Sequence, residues 1–300
     1  MTAQTASLSN VTAPKASHRG VRTWPLMFPA VALLAIWSVI PLVLTLWYAF
    51  QNYNLQSPPA EYAGLANFKY LLTDPDLFIV IKNTLELVFG PMAVTIVLGV
   101  LFAILYDAPF PGRGIARLLM ITPFFIMPPV AALVWKNLIL NPVWGLSAWL
   151  LRLVGLQPID WFATYPMAAI IIIVSWAWTP FATLILLTSM QSLDREQVEA
   201  ARMDGAKGFS ILLYVILPHL YRPISVIFML ETIFFLAIYA EIYVTTGGGP
   251  GAETTNIPFY IYARALTSFD VGLASAGGIF AIIFANIVSF FFVRIISRQL

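Results

Sequence analysis

The 300-residue sequence contains no cysteine and only two histidines, His18 and His219. The first absence excludes disulfides, zinc–thiolate sites and Fe–S clusters together. The second argues against a histidine-based metal or catalytic centre. Charge is scarce as well, at 10% of residues where a soluble domain carries roughly a quarter. The net charge of +2 gives no basis for a nucleic-acid partner. A phosphate-binding loop is also missing: Gly205-Ala206-Lys207-Gly208 lacks the G-x-x-x-x-G-K-[ST] spacing and no strand pattern surrounds it. Neither bound ATP, nor a cofactor, nor a metal, nor a catalytic residue is therefore expected.

Apolar residues are what the chain has, at 60% of its composition and a mean hydropathy of +0.85. Such a chain cannot cover itself with a water-compatible surface, and it belongs in a bilayer. A spanning helix needs about 20 mostly apolar residues, and six segments qualify: Trp24–Phe50, Val80–Tyr106, Ile115–Leu140, Tyr165–Met190, Pro223–Thr246 and Gly272–Ile296. Many Trp and Tyr residues stand near the ends of these runs, as in interfacial belts. The polar stretch 1–23 before the first run resembles a signal peptide superficially. The run is too long for one and lacks a small-x-small cleavage site, so a retained first helix behind a disordered tail is expected.

Lysine and arginine set the orientation. With the N-terminus inside, Lys15, Arg19, Arg22, Arg113, Arg117, Arg195, Arg202, Lys207, Arg222, Arg294 and Arg298 fall on the cytoplasmic side, against Lys69, Lys82, Lys136, Arg152 and Arg264 opposite. The expected fold is an all-α membrane protein with six transmembrane helices, both termini cytoplasmic, and one domain over 24–300. Pro123, Pro128 and Pro129 mark a kink in the third span. Ala274, Gly278, Ala281 and Ala285 put a small-residue stripe on the last, facing a neighbouring helix or a partner subunit.

The one long cytoplasmic segment, 191–218, separates the fourth and fifth spans. Asp194 with Gln197 has capping-box spacing, and Gly205 is placed to end the short helix that follows. A second, apolar helix with Phe209, Leu212, Leu213 and Ile216 on one side is expected to stop at Pro218. The residues alone leave two readings open. This helix–turn–helix inserts Ala200 and Ala201 into a cleft of another protein, with Glu199 offering an ion pair, or it is a solvated connector in which Arg195, Glu199 and Arg202 pair with one another.

The run Glu199-Ala200-Ala201-x-x-Asp204-Gly205-Ala206, followed by Ile216-x-Pro218, resembles the EAA motif of binding-protein-dependent ABC importer permeases. Phe28-Pro29-Ala30, Gly64-Leu65-x-Asn67-Phe68, Lys82-Asn83-Thr84, Pro128-Pro129 with Trp135, and Gly247-Gly248-Gly249-Pro250 are similar to the maltose-type carbohydrate group, in particular to the first of its two dissimilar permeases. The resemblance implies a bacterial inner-membrane subunit that pairs with a second, dissimilar permease and with two copies of a cytoplasmic ATPase. A periplasmic or lipoprotein binding protein would deliver the substrate. It also implies that Glu199, Ala200, Ala201, Asp204 and Gly205 dock into the ATPase.

Ionisable residues within spans are functional candidates. Glu86 stands one turn after Lys82, within pairing reach. Glu241 lies near the outer end of the fifth span, towards a vestibule or solvent, whereas Glu231 lies deep within it. Counting from the motifs, the resemblance puts the substrate pocket near Trp178, Phe181, Glu231, Phe234, Phe235 and Ile238, a carboxylate flanked by aromatic faces that suits a carbohydrate. Pairing of Glu231 with a partner subunit, or its protonation, is the bland alternative. The segment 254–278 is similar to sorbitol and mannitol permeases, which favours a polyol over a disaccharide or glycerol phosphate. An ion-coupled secondary transporter and an intramembrane enzyme are the rival classes. The first calls for paired repeats with broken helices, and the second for convergent acids or a nucleophile–base pair.

Overall fold

The computed structural model describes residues 24–57 and 59–297; the tail expected at 1–23 lies outside them. In chain order the helices are α1 (Trp24–Ala49), α2 (Ala66–Thr73), α3 (Leu77–Asp107), α4 (Arg113–Ile121), α5 (Pro128–Val134), α6 (Leu146–Leu153), α7 (Trp161–Thr164), α8 (Pro166–Gln191), α9 (Arg195–Met203), α10 (Gly208–Ile211), α11 (Leu217–Phe235), α12 (Ala240–Thr245), α13 (Ile257–Tyr262) and α14 (Val271–Ser297). Strands β1 (Gln51–Asn52) and β2 (Glu61–Tyr62) form a short antiparallel pair. The chain divides at Leu44/Thr45, within α1, and residues from Thr45 onwards form one compact unit.

Among the described residues, five helices are long and apolar enough to cross a membrane, within α1, α3, α8, Gly208–Phe235 and α14. The expected first, second, fourth and sixth spans match these to within a few residues. The other two need correction. The third is no continuous helix: Arg113–Phe125 and Pro128–Ile139 meet at 107°, giving a sixth span only if the bent pair counts as one. Met127 is extended, with φ −58° and ψ 133°, as a residue before proline prefers, and Pro128 and Pro129 then start α5 afresh.

The fifth span begins at Gly208 and ends at Phe235, rather than running from Pro223 to Thr246. Pro218 does not stop it, because the turn Leu212–Ile216 just before it is widened to i→i+5 bonding, which makes room for the ring. Nothing local ends the helix at Phe235. The non-helical residues 236–239 are held from elsewhere: the fully buried Asn256 donates its Nδ2 to the Ile238 carbonyl at 2.6 Å. The same amide accepts from Phe259 N through Oδ1 at 2.9 Å and so caps α13.

Further polar ties fix the segment after α12 against α3. Asn83 Nδ2 donates to the carbonyls of Ala252 and Thr255, both at 2.9 Å, and Thr84 Oγ1 accepts from Ile257 N at 3.0 Å. The sequence pair Asn83-Thr84 is thus an anchor for the glycine loop. Asn67 plays a similar part, donating to the carbonyls of Ala49, the last residue of α1, and of Gln51 just beyond it. Gly272 packs so closely on Gln51 that a Cβ there would collide with the Gln51 carbonyl. In the small-residue stripe of α14, Ala274 is buried within this chain, and Ala281 packs against the cluster of Leu71, Val80 and Leu273.

The core lies where α3, α8 and α11 meet. Gly99 lets α3 approach α8, a Cβ in its place coming within 3.0 Å of Ala182 Cβ. One buried acid sits in this packing. Glu231 is 0% exposed, and its Oε2 accepts from Thr95 Oγ1 at 2.7 Å while Oε1 has no partner among the described residues.

Two stability predictions follow from these ties. Asn83→Leu strands two carbonyls at a cost of about 1–3 kcal/mol each. A clearly lower melting temperature of the detergent-purified protein is expected, and an unchanged one would mean that water serves both carbonyls. Thr95→Val leaves the buried Glu231 carboxyl without a donor and should also lower melting. Adding Glu231→Met, which replaces the acid with an apolar side chain, should recover most of the loss, and a double mutant no better than Thr95→Val would contradict the pairing.

Candidate functional site

Two breaks in crossing helices converge on one cavity. The bent pair contributes Phe124, Ile126 and Pro128 from its turn, α8 contributes Trp178, and the end of α11 and start of α12 contribute Phe234 and Glu241. Irregular backbone is tolerated at membrane depth where it lines a cavity or is buried in protein, and both conditions hold here. The volume is about 220 Å³. That is on the order of seven waters, and below the ~300–1,000 Å³ of sites that enclose a drug-sized ligand. It suits one sugar-sized unit.

Aromatic side chains build the wall. Phe124 meets Trp178 edge-on at 5.6 Å and stacks on Phe181 at 5.7 Å. Trp178 lies 4.9 Å from Phe234 and 5.4 Å from Phe235. Of the residues expected at the pocket, Trp178 and Phe234 line the cavity and Phe181 backs it through Phe124. Glu231, Phe235 and Ile238 do not. Phe235 and Ile238 belong to the core cluster with Leu87, Met92 and Ile170, and Glu231 faces Thr95. Positions 231 and 235 lie one turn apart on α11 and so share a face that turns inward to α3, and Ile238, past the end of α11, packs into the same cluster as Phe235.

The acid in the lining is Glu241, read from sequence as near a vestibule or solvent; it is only 8% exposed. It opens α12, whose far end receives Lys136: Nζ donates to the carbonyls of Val244 and Thr245 at 3.2 and 2.6 Å. The acid and the base thus sit at the helix ends that favour their charges. Glu86 pairs with Lys82 at 3.3 Å, both well exposed, as their spacing suggests.

At the other end of Gly208–Phe235 lies the segment with the Glu199 motif. Asp194 caps α9 by accepting from Glu196 N at 2.9 Å, and Gly205, at φ 82°, turns the chain towards α10. Glu199, Ala200 and Asp204 are exposed and Ala201 is half-buried. Phe209, placed by its spacing on the apolar side of the second helix, is 70% exposed, and Ile211 is buried. Glu199 and Arg202 form no ion pair among the described residues; both border a cleft of about 640 Å³ shared with Asp107 at the end of α3 and Arg113 at the start of α4. Arg113 and Arg117 cap that helix by donating to the carbonyls of Asp107 and Tyr106.

The chain is 34% identical over 264 residues to a probable ABC transporter permease of Sinorhizobium fredii, covering 87% of this chain and 85% of that protein. It is 30% identical over 272 residues to the trehalose/maltose transport system permease protein MalF of Thermococcus litoralis, covering 90% and 92%. In fold it is similar to a chain of a bacterial ABC transporter that imports the acidic polysaccharide alginate, with a TM-score of 0.76, 23% identity, and 92% and 96% of the two chains covered. Residues 96–300 match the family of binding-protein-dependent transport system inner membrane components. With its several apolar crossing helices, the chain belongs to that family and is a multi-pass inner-membrane transport protein.

Proposed function

We propose that this chain is one of two dissimilar permeases in an ATP-driven importer of a polyol or sugar, and that the Glu199 segment couples it to a cytoplasmic ATPase present in two copies. The observation that carries the coupling is physical continuity. A single crossing, Gly208–Phe235, starts one turn after Gly205 and ends on the cavity at Phe234. At about 1.5 Å per residue it is roughly 42 Å long. Movement imposed on α9 reaches the cavity along one element.

Surface chemistry supports docking over a solvated connector. Glu199 and Ala200 are exposed, and so are Met203 at 89% and Phe209 at 70%. Large apolar side chains left bare on a polar segment mark a contact surface. In the proposed complex Glu199, Ala200, Ala201, Asp204 and Gly205 meet the ATPase, and both termini lie on the same cytoplasmic side, in line with the lysine and arginine bias. The tail 1–23 is then cytoplasmic and 24–300 is one permease domain. A binding protein delivers cargo from outside, and ATP binding and hydrolysis by the partner drive alternating access.

Cargo is assigned to the cavity walled by Trp178, Phe234 and, behind Phe124, Phe181, with Glu241 as the hydrogen-bond acceptor for hydroxyl groups. Glu231, Phe235 and Ile238 shape it from behind. Similarity of 254–278 to polyol permeases favours sorbitol or mannitol; the Thermococcus relative's trehalose and maltose make a disaccharide the second reading.

Glu199→Arg should leave the four-part complex assembled while lowering cargo-stimulated ATPase activity and uptake at least tenfold. Normal stimulation and uptake in an assembled Glu199→Arg complex would refute the coupling role.

A further inference from the structure

We infer that Glu241 is a charge filter, so that the cavity admits uncharged polyhydroxyl ligands and rejects acidic ones of the same size. This rests on the cavity being the cargo site. Family membership leaves the charge of the cargo open, since relatives in sequence or fold include carriers of trehalose or maltose and of the acidic polysaccharide alginate. The lining decides between them. Among the described residues Glu241 is its one ionisable side chain, more than nine-tenths buried, and no described lysine, arginine or histidine lines the space with it. Among the described residues Glu241 forms no ion pair. Lys136, the cation beside α12, is held at the opposite end of that helix by two carbonyls.

An anion entering this space would meet a carboxyl group, apolar and aromatic walls, and no counter-charge. Desolvating a negative charge there goes uncompensated, and the Glu241 carboxylate adds like-charge repulsion. A neutral ligand meets the opposite situation. Its hydroxyls donate to the carboxyl oxygens, and its C–H faces rest on Phe124, Trp178 and Phe234. Glu241 is therefore a binding residue for neutral cargo and the specificity-determining residue against acidic cargo.

The test is equilibrium binding to the purified complex, without its binding protein, using two pairs of probes that differ by a carboxylate: sorbitol with gluconate, and glucose with glucuronate. The wild type should favour the neutral member of a pair at least tenfold. Glu241→Gln should bring the two members within about threefold of each other. Ala177→Arg, which adds a cation to the same lining, should move the ratio towards the acid and serves if the first variant does not assemble. Equal affinities in the wild type, or a tenfold preference that survives Glu241→Gln, would overturn the filter alone. Binding of none of the four probes would overturn the cargo-site reading and the filter with it.

Discussion

In a bilayer a broken helix exposes carbonyls that lipid cannot satisfy, so a break needs a donor from elsewhere in the chain or a cavity beside it. That requirement organises this protein. The fifth crossing ends at Phe235 because Asn256, eighteen residues after Ile238, supplies the amide that the freed Ile238 carbonyl needs. Asn83 does the same for the carbonyls of Ala252 and Thr255, and so holds the glycine loop on α3. With those ties in place, α12 starts beside the turn of the bent pair, and the space between the two breaks becomes the cavity. Asparagine suits such posts because one side chain carries both donors and an acceptor; Asn256 uses both capacities.

The same helix that ends at the cavity begins at the α9 segment, and its lower part is fastened to α8. His219 Nε2 donates to the Ser189 carbonyl at 2.9 Å, near the last turn of α8, and Leu220 and Ile227 pack in the cluster with Leu186 and Met190. The Leu212–Ile216 turn, with its wider spacing, lies between that fastening and α9. In the proposed importer this arrangement passes a push from the ATPase to the cavity through α11, while the bend at 122–128 gives the opposite wall freedom to respond. The proposed docking draws on Glu199 staying unpaired with Arg202 and on Phe209 staying bare; the Arg195 side chain, the third member of the self-paired alternative, lies outside what the structure describes.

Much of this was legible in the sequence where the signal is local. Apolar runs of about 20 residues located four crossings closely, and Gly205 and Asp194 marked the ends of α9. Proline misled in the fifth crossing: Pro218 reads as a terminator only if the turn before it is regular, and here that turn is widened. The end at Phe235 could not be read, because Leu236-Ala237-Ile238-Tyr239 is as apolar as what precedes it and the cause lies at Asn256. Which acid lines the cavity was hidden for a related reason. Helical spacing puts Glu231 and Phe235 on one face, yet only packing against α3 shows that this face is inward, leaving Phe234 and Glu241 to the cavity.

The absence of cysteine allows the central claim, that one helix links the Glu199 segment to the cavity, to be tested at a single introduced thiol. Phe234→Cys would be placed in the assembled complex in membranes, and its labelling rate by a soluble maleimide measured with and without ATP. The account predicts at least a severalfold change in rate on adding ATP, lost when Glu199→Arg is combined with it. A rate indifferent to ATP, or an ATP response that persists in the combined variant, would contradict it.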